Sequence, residues 1–175
     1  EQVLSTAEQL CSGKINFFRA GIWKPRTRPG AFEGAGNLAL DWMLEAREKY
    51  GLKICTEVAN PDHVEAVLKK GFDMVWVGAR STANPFTVQE ISESLKGVDI
   101  PVMIKNPSNP DLKLWIGAVE RFQYNGIRDI SVIHRGFSVY EKQRSRNNPN
   151  WQIALDLKKE LPRMPLLCDP SHITG

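Results

Sequence analysis

Two hydrophobic periods alternate along this chain from end to end, and that alternation constrains its fold more than any other feature. EQVLSTAEQLC sets Val3, Leu4, Ala7, Leu10 and Cys11 on one helical face and is stopped by Gly13. NFFRAGIW, short and apolar, reads as a strand. NLALDWMLEAREKYG returns to helical spacing, with Asn37 as N-cap and Gly51 as C-terminal glycine. LKICTEV is the next strand, and NPDHVEAVLKKG is a helix capped by Asn60, begun by Pro61 and ended by Gly71. The rhythm continues through strand FDMVWVGA, helix PFTVQEISESLKG and strand IPVMIK. It then runs through helix NPDLKLWIGAVERFQYNG, with Asn109-Pro110 as a second Asn-Pro start, strand DISVIHRG, helix WQIALDLKKEL and strand MPLLCDP. The expectation is six helices and six strands in one domain over residues 1–175, since no low-complexity linker divides them. Strands that are continuous apolar runs fit a parallel sheet covered on both faces.

Such alternation builds either an open doubly wound sheet or a TIM (β/α)8 barrel. No GxGxxG follows the first strand, which speaks against a dinucleotide-binding sheet. The polar residues favour the barrel. Strand after strand ends in a chemically conspicuous side chain: Lys24 and Arg26, Glu57, Arg80, Lys105, His134 and Arg135, Asp169 and His172. A barrel converges those ends on one mouth, whereas an open sheet spreads them along a line.

Composition narrows the chemistry. The net charge of +3 is mild and the basic residues are dispersed among acids, which does not suggest a nucleic-acid partner. No run of about 18 apolar residues suggests a membrane span, and the first residues carry no signal-peptide pattern. The three cysteines, Cys11, Cys55 and Cys168, are odd in number and widely spaced, against a disulfide framework or compact zinc site. A reduced, cytoplasmic protein is expected.

In a barrel, Arg19, Lys24, Arg26, Arg80, Lys105 and Arg135 face a common region. That much positive charge repels itself unless an anion is normally present. Guanidinium forks suit phosphate and carboxylate oxygens, and lysine adds a mobile charge. The set reads as a site for a polyanionic small molecule, and its size calls for two anionic ligands. Each member alone has a plainer reading: Arg19 as a buried structural pair, Arg26 and Arg28 as loop charges, Lys105 snorkelling to water, Glu57 neutralising a neighbour. Repetition at the same end of successive strands is what favours function. His172 in CDPSHITG follows a strand beside Asp169, a position suited to a metal ligand. Alternation sends His134 and Arg135 to opposite faces, with Arg135 toward the ligand. His63 reads as surface, and Cys55 and Cys168 as strand core.

GIWKPRTRP, VGARSTANP, PVMIKNPSNPD, IHRGFS and CDPSH occur in an order that closely resembles the type I 3-deoxy-7-phosphoheptulonate (DAHP) synthases, in the branch related to 3-deoxy-8-phosphooctulonate synthases. The resemblance covers essentially all of the chain. It implies condensation of phosphoenolpyruvate with erythrose 4-phosphate, the first step of the shikimate pathway to chorismate and the aromatic amino acids. It further implies that Arg19, Arg80, Lys105 and Arg135 bind phosphoenolpyruvate, with Gly78 and Ala79 of the Gly-Ala-Arg motif alongside Arg80. Lys24 would touch it near the reacting carbons and act in catalysis. Lys24, Pro25, Arg26 and Thr27 would hold erythrose 4-phosphate, Glu57 would position water, and His172 would be a catalytic metal ligand. The implied cofactor is a divalent metal, for which manganese, iron, zinc and cobalt all suit the donor types. The intact enzyme would be a homo-oligomer.

The chain departs from the family pattern in three ways. None of its cysteines sits in the family's metal-binding Gly-Pro-Cys-Ser segment, the downstream glutamate and aspartate ligands are missing, and six strands stand where eight are required. The expectation is a fragment holding the second to seventh barrel strands, inactive by itself. Two alternatives remain: an octulonate synthase, against which Lys24 to Thr27 speak because that family reads Lys-Ala-Asn-Arg there, and a non-catalytic phosphate-binding barrel.

Overall fold

The computed structural model describes every residue except 14, 16, 142, 143 and 175. Six strands form one parallel sheet: β1 (Phe17–Arg19), β2 (Lys53–Val58), β3 (Met74–Val77), β4 (Val102–Lys105), β5 (Ile130–His134) and β6 (Leu166–Cys168). Their spatial order is their order in the chain. A doubly wound sheet reverses its strand order, because its helices must reach both faces. Here every crossover steps the same way, and right-handed crossovers then lay all the helices on one side. The sheet curls away from them as the wall of a partial barrel. Arg19, closing β1, comes within 3.5 Å of Asp169, just past β6, although those two strands do not pair.

Register divides the side chains between the two faces. Thr56, Val75 and Val102 stand side by side on the outer face, as do Val58, Val77, Ile104 and Val132. These valines and isoleucines pack against α2 (Leu38–Tyr50), α3 (Pro61–Lys69), α5 (Pro85–Ser94), α6 (Leu112–Tyr124) and α7 (Trp151–Glu160), with Met43, Val67, Ile91, Trp115 and Leu157 fully buried opposite them. The inner face carries a smaller cluster of Cys55, Trp76, Met103 and Ile133. Deep burial pushes the Cys55 thiol up to about 12, so it stays a neutral packing group.

The helix starts follow local chemistry, with two departures from expectation. Asn60 caps α3 through its side chain, which accepts from the His63 N–H at 2.8 Å, and Gly51 closes α2 at φ +67. Asn37, however, sits in helical geometry with no side-chain cap bond. Helix α6 is capped by Asp111 rather than Asn109, because Asp111 accepts from Leu114 N–H at 3.0 Å and the chain turns once more before coiling. α1 (Gln2–Cys11) packs on α2. Two short helices, α4 (Ala79–Thr82) and α8 (Pro170–Thr174), add to the expected six. The first strand is shorter than NFFRAGIW: Asn16 lies outside the described residues, and the chain leaves β1 after Arg19.

Two sequence expectations are overturned here. Cys168 is exposed, because β6 is an edge strand among the described residues and has no outer neighbour to cover it. His63 is not a free surface group. Its ring stacks on Trp23 at 3.9 Å between centroids and 7° between planes, while Nδ1 accepts from Ala59 N–H at 3.3 Å. No helix among the described residues is long and apolar enough to cross a membrane.

Candidate active site

The ends of β1 to β4 deliver Arg19, Glu57, Trp76 and Lys105, and the segments just past β5 and β6 deliver Arg135 and His172, to the same end of the sheet, where they line a cavity of about 610 Å³. Every cation singled out in the sequence is there: Arg19, Lys24, Arg26, Arg80, Lys105 and Arg135 all line it. So do Pro25, Thr27, Glu57, Ala79 and His172. Gly78 stands just behind, packed against Glu57. Arg28 is an exposed loop charge outside the cavity.

The loop after β1 is closed on itself before it meets any ligand. Lys24 N–H donates to Glu33 O at 2.8 Å and Gly36 N–H to Ile22 O at 3.2 Å. Gly34 makes the turn possible, since at φ +99 a Cβ there would lie 2.0 Å from Ile22 O. Arg26 Nε donates to Phe32 O at 2.8 Å. Arg80, in the short helix α4 that follows β3, crosses to the loop, donating to the Pro25 carbonyl and, at 3.0 Å, to Thr27 Oγ1. The Gly-Ala-Arg and Lys-Pro-Arg-Thr segments are thus one hydrogen-bonded unit.

Asp169 is the anionic centre of the opposite wall. Its Oδ2 lies 3.1 Å from Lys105 Nζ, 3.5 Å from an Arg19 guanidinium nitrogen and 2.9 Å from His172 Nδ1, and its Oδ1 accepts from Ser171 Oγ at 2.8 Å. Burial opposes ionisation of this carboxyl, yet Ser171, His172 and Lys105 together hold it well below the usual carboxylate range. Burial, and then the Arg19 charge, lower Lys105, with Asp169 opposing. Burial and the neighbouring Arg146 press Arg135 below the ordinary arginine value. One carboxylate therefore serves several cations, and the array remains set for anions.

Burial lowers His172 as well, with Asp169 opposing. A neutral imidazole can offer a nitrogen to a metal, but Nδ1 stands beside Asp169 without the alignment of a hydrogen bond. Among the described residues no group of three His, Cys, Asp or Glu could hold an ion. The residues present do not by themselves fit a metal centre.

His134 and Arg135 part as alternation requires. Arg135 faces the cavity, whereas His134 is buried on the outer face among Trp115, Phe137 and Trp151. Sequence reasoning missed Asn106, buried beside Lys105, which accepts from Arg135 N–H at 2.7 Å and donates to Gly136 O at 2.8 Å. Position directly after a cavity lysine was its only signal. It also missed Arg146, Ser108 and Ser138, which reach the cavity through loops that carry no periodic pattern.

The family model described as the DAHP synthetase I family matches residues 1–175. A curated phospho-2-dehydro-3-deoxyheptonate aldolase of Thermotoga maritima is 29% identical over 175 residues, which are 100% of this chain and 50% of the relative. The chain thus spans about half the length of the curated relative it matches. The crystal structure of phospho-2-dehydro-3-deoxyheptonate aldolase (DAHP synthase) from Thermotoga maritima superposes with a TM-score of 0.82 at 26% identity, covering 98% of this chain and 48% of that one. A truncated form of 3-deoxy-D-arabino-heptulosonate 7-phosphate synthase from the same organism gives a TM-score of 0.79 at 26% identity, covering 99% of this chain and 60% of that one. A match over the whole chain, on a six-strand barrel wall whose cations meet at one mouth, leads to one statement: the chain belongs to the DAHP synthetase I family.

Proposed function

We propose that the protein condenses phosphoenolpyruvate with erythrose 4-phosphate to give 3-deoxy-D-arabino-heptulosonate 7-phosphate and inorganic phosphate, at the head of the shikimate pathway. The observation that carries this reading is the meeting of Arg19, Lys24, Arg26, Arg80, Lys105 and Arg135 around one cavity of about 610 Å³. That is room and charge for two phosphorylated metabolites. Lys105, Arg135, Arg80 and Arg19 hold phosphoenolpyruvate, with Gly78 and Ala79 at its side. Lys24, Pro25, Arg26 and Thr27 hold the sugar phosphate, and the Arg80 bridge to Thr27 sets the distance between the two sites.

In the reaction the methylene carbon of phosphoenolpyruvate bonds to the aldehyde carbon of the sugar, and the aldehyde oxygen takes up a proton. Water adds to the former enol carbon. The tetrahedral intermediate then collapses to the ketone as its carbon–oxygen bond to phosphate breaks and phosphate leaves. Lys24 stands where it can offset charge on the aldehyde oxygen, and Glu57 where it can orient the water. Both substrates are fixed before they react, which removes most of the entropic cost of their encounter.

A divalent metal belongs to this reading, with His172 as the ligand this chain supplies, and the described residues complete no metal site. On the same reading the whole protein works in the cytoplasm as a homo-oligomer. Exposed apolar side chains such as Phe86 and Tyr124, at 82% and 90% exposure, are available for such contacts. Neither nucleic acid nor membrane enters the reading.

The test is steady-state phosphate release by the full-length protein. Turnover is expected with phosphoenolpyruvate and erythrose 4-phosphate and loss of turnover in Arg135→Ala. Turnover with arabinose 5-phosphate in place of the four-carbon sugar would transfer the protein to the octulonate synthases, and no release with either would leave a binding barrel.

A further inference from the structure

Trp76 takes no part in the roles above, yet it touches three of the side chains that do. It points inward from β3 and is 3% exposed. Its Nε1–H donates to Glu57 Oε2 at 3.1 Å. Over the same indole lie Arg19, with Cζ 5.2 Å from the ring centroid, and Lys105, with Nζ 5.9 Å from it. Both of these cations also reach Asp169 Oδ2, at 3.5 and 3.1 Å. Two like charges thus share one carboxylate and one indole ring.

The sheet register makes this arrangement possible. Glu57 stands directly opposite Trp76 on β2, and Met103 directly opposite it on β4. Lys105, two residues beyond Met103, projects from the same face and leans back over the ring. A phenyl ring could offer a face but no N–H, and an aliphatic side chain could offer neither. Trp76 and Lys105 are buried, at 3% and 5% exposure, so the indole N–H and the lysine contact are shielded from water and fix geometry more firmly than they could at a surface, whereas the Arg19 side chain, 41% exposed, keeps contact with solvent.

We propose that Trp76 is a positioning residue of the active site: its N–H orients Glu57 while its π system holds Arg19 and Lys105 at the spacing the bound anion requires. What those three groups act on rests on the proposed function; that Trp76 places them does not. Substrate then meets a site whose acid and two of whose cations are already aimed.

Two substitutions separate the two duties in the full-length protein. Trp76→Phe keeps a ring face and deletes the N–H. It is expected to lower kcat about tenfold, the loss of a charge-assisted hydrogen bond, with KM for phosphoenolpyruvate changed by no more than about threefold. Trp76→Leu deletes both contacts and is expected to raise that KM about fivefold as well. A readout free of substrate accompanies them: acetylation of Lys105 by acetic anhydride, followed by peptide mass and referred to exposed Lys113. The Lys105 rate should stay near wild type in Trp76→Phe and rise about fivefold in Trp76→Leu.

Circular dichroism at the labelling temperature reports whether each variant is folded, and Trp76→Met replaces the leucine variant should that one unfold. Wild-type kcat in Trp76→Phe, or wild-type Lys105 labelling in a folded variant without the ring, overturns the proposal. If wild-type protein releases no phosphate from the two substrates, the proposed function falls, and the labelling still decides the role of Trp76.

Discussion

Glu57 and Gly78 show how one missing carbon can set a functional group. They sit at the ends of neighbouring strands, and a Cβ on residue 78 would lie 2.1 Å from Glu57 Oε1. The carboxylate occupies the space a side chain would take, and Trp76 holds it there through its N–H at 3.1 Å. Gly78→Ala should therefore expel the carboxylate end from its place while the backbone, at φ −73, accepts alanine without strain. The expected result is a fall in turnover of about 10²-fold, the scale of a displaced catalytic group. The thermal midpoint should fall by only a few degrees, the cost of the Trp76 N–H losing its partner, because the clash meets a side-chain end and no backbone. Unchanged kcat in a folded Gly78→Ala protein would show that the position of Glu57 does not matter to the reaction.

At the scale of elements, much was legible because it rests on local chemistry. Strand cores could be read from continuous apolar runs, and the α3 start from Asn60 and Pro61, since a cap bond spans only three residues. Asn60→Ala should cost about 1 kcal/mol, lowering the melting midpoint by roughly 2–4 °C for a chain of this size, with most of the loss recovered in Asn60→Asp. An unchanged midpoint would mean that α3 is held by packing alone. The loss should also loosen the loop after β1 and, on the proposed function, raise KM for erythrose 4-phosphate, because His63, which gives the cap its N–H, stacks on Trp23 beside Lys24. That stack was not legible. It joins residues 40 positions apart through the packing of α3 on the loop, and nothing around His63 distinguishes it from a solvated helix residue. The helices α4 and α8 escaped for another reason: four or five residues are too few to show a helical period. Cys168 was misread because its local run is apolar, while its exposure depends on β6 lying at the sheet's edge.

For the whole molecule, the decisive event is the curl that brings the two edges of the sheet to one mouth. Sequence placed Arg19 inside the first strand and Lys105 and Asp169 at strand ends, but only the curvature makes Asp169 the shared partner of both cations. The same curvature gathers Arg80, Arg135 and Arg146 on the facing side, where Arg135 is pressed below its ordinary value by burial and by its arginine neighbours. A fold that concentrates like charge in this way gives up stability, and an anion restores it by binding the folded state alone. A ligand at 100 times its Kd adds about 2.7 kcal/mol, which for this size of chain raises the melting midpoint by roughly 5–10 °C. Low-millimolar phosphoenolpyruvate should produce such a rise in wild-type protein, measured against chloride at equal ionic strength. Concentrated phosphate is a poorer probe, since its exclusion from protein surfaces stabilises folded chains generally. Arg135→Ala should melt at or above the wild-type midpoint without ligand, because one repulsion is gone, and should lose most of the ligand-induced rise. Equal rises in the two proteins would place the anion elsewhere and remove the charge-concentrating mouth as the reason for the curl's functional value.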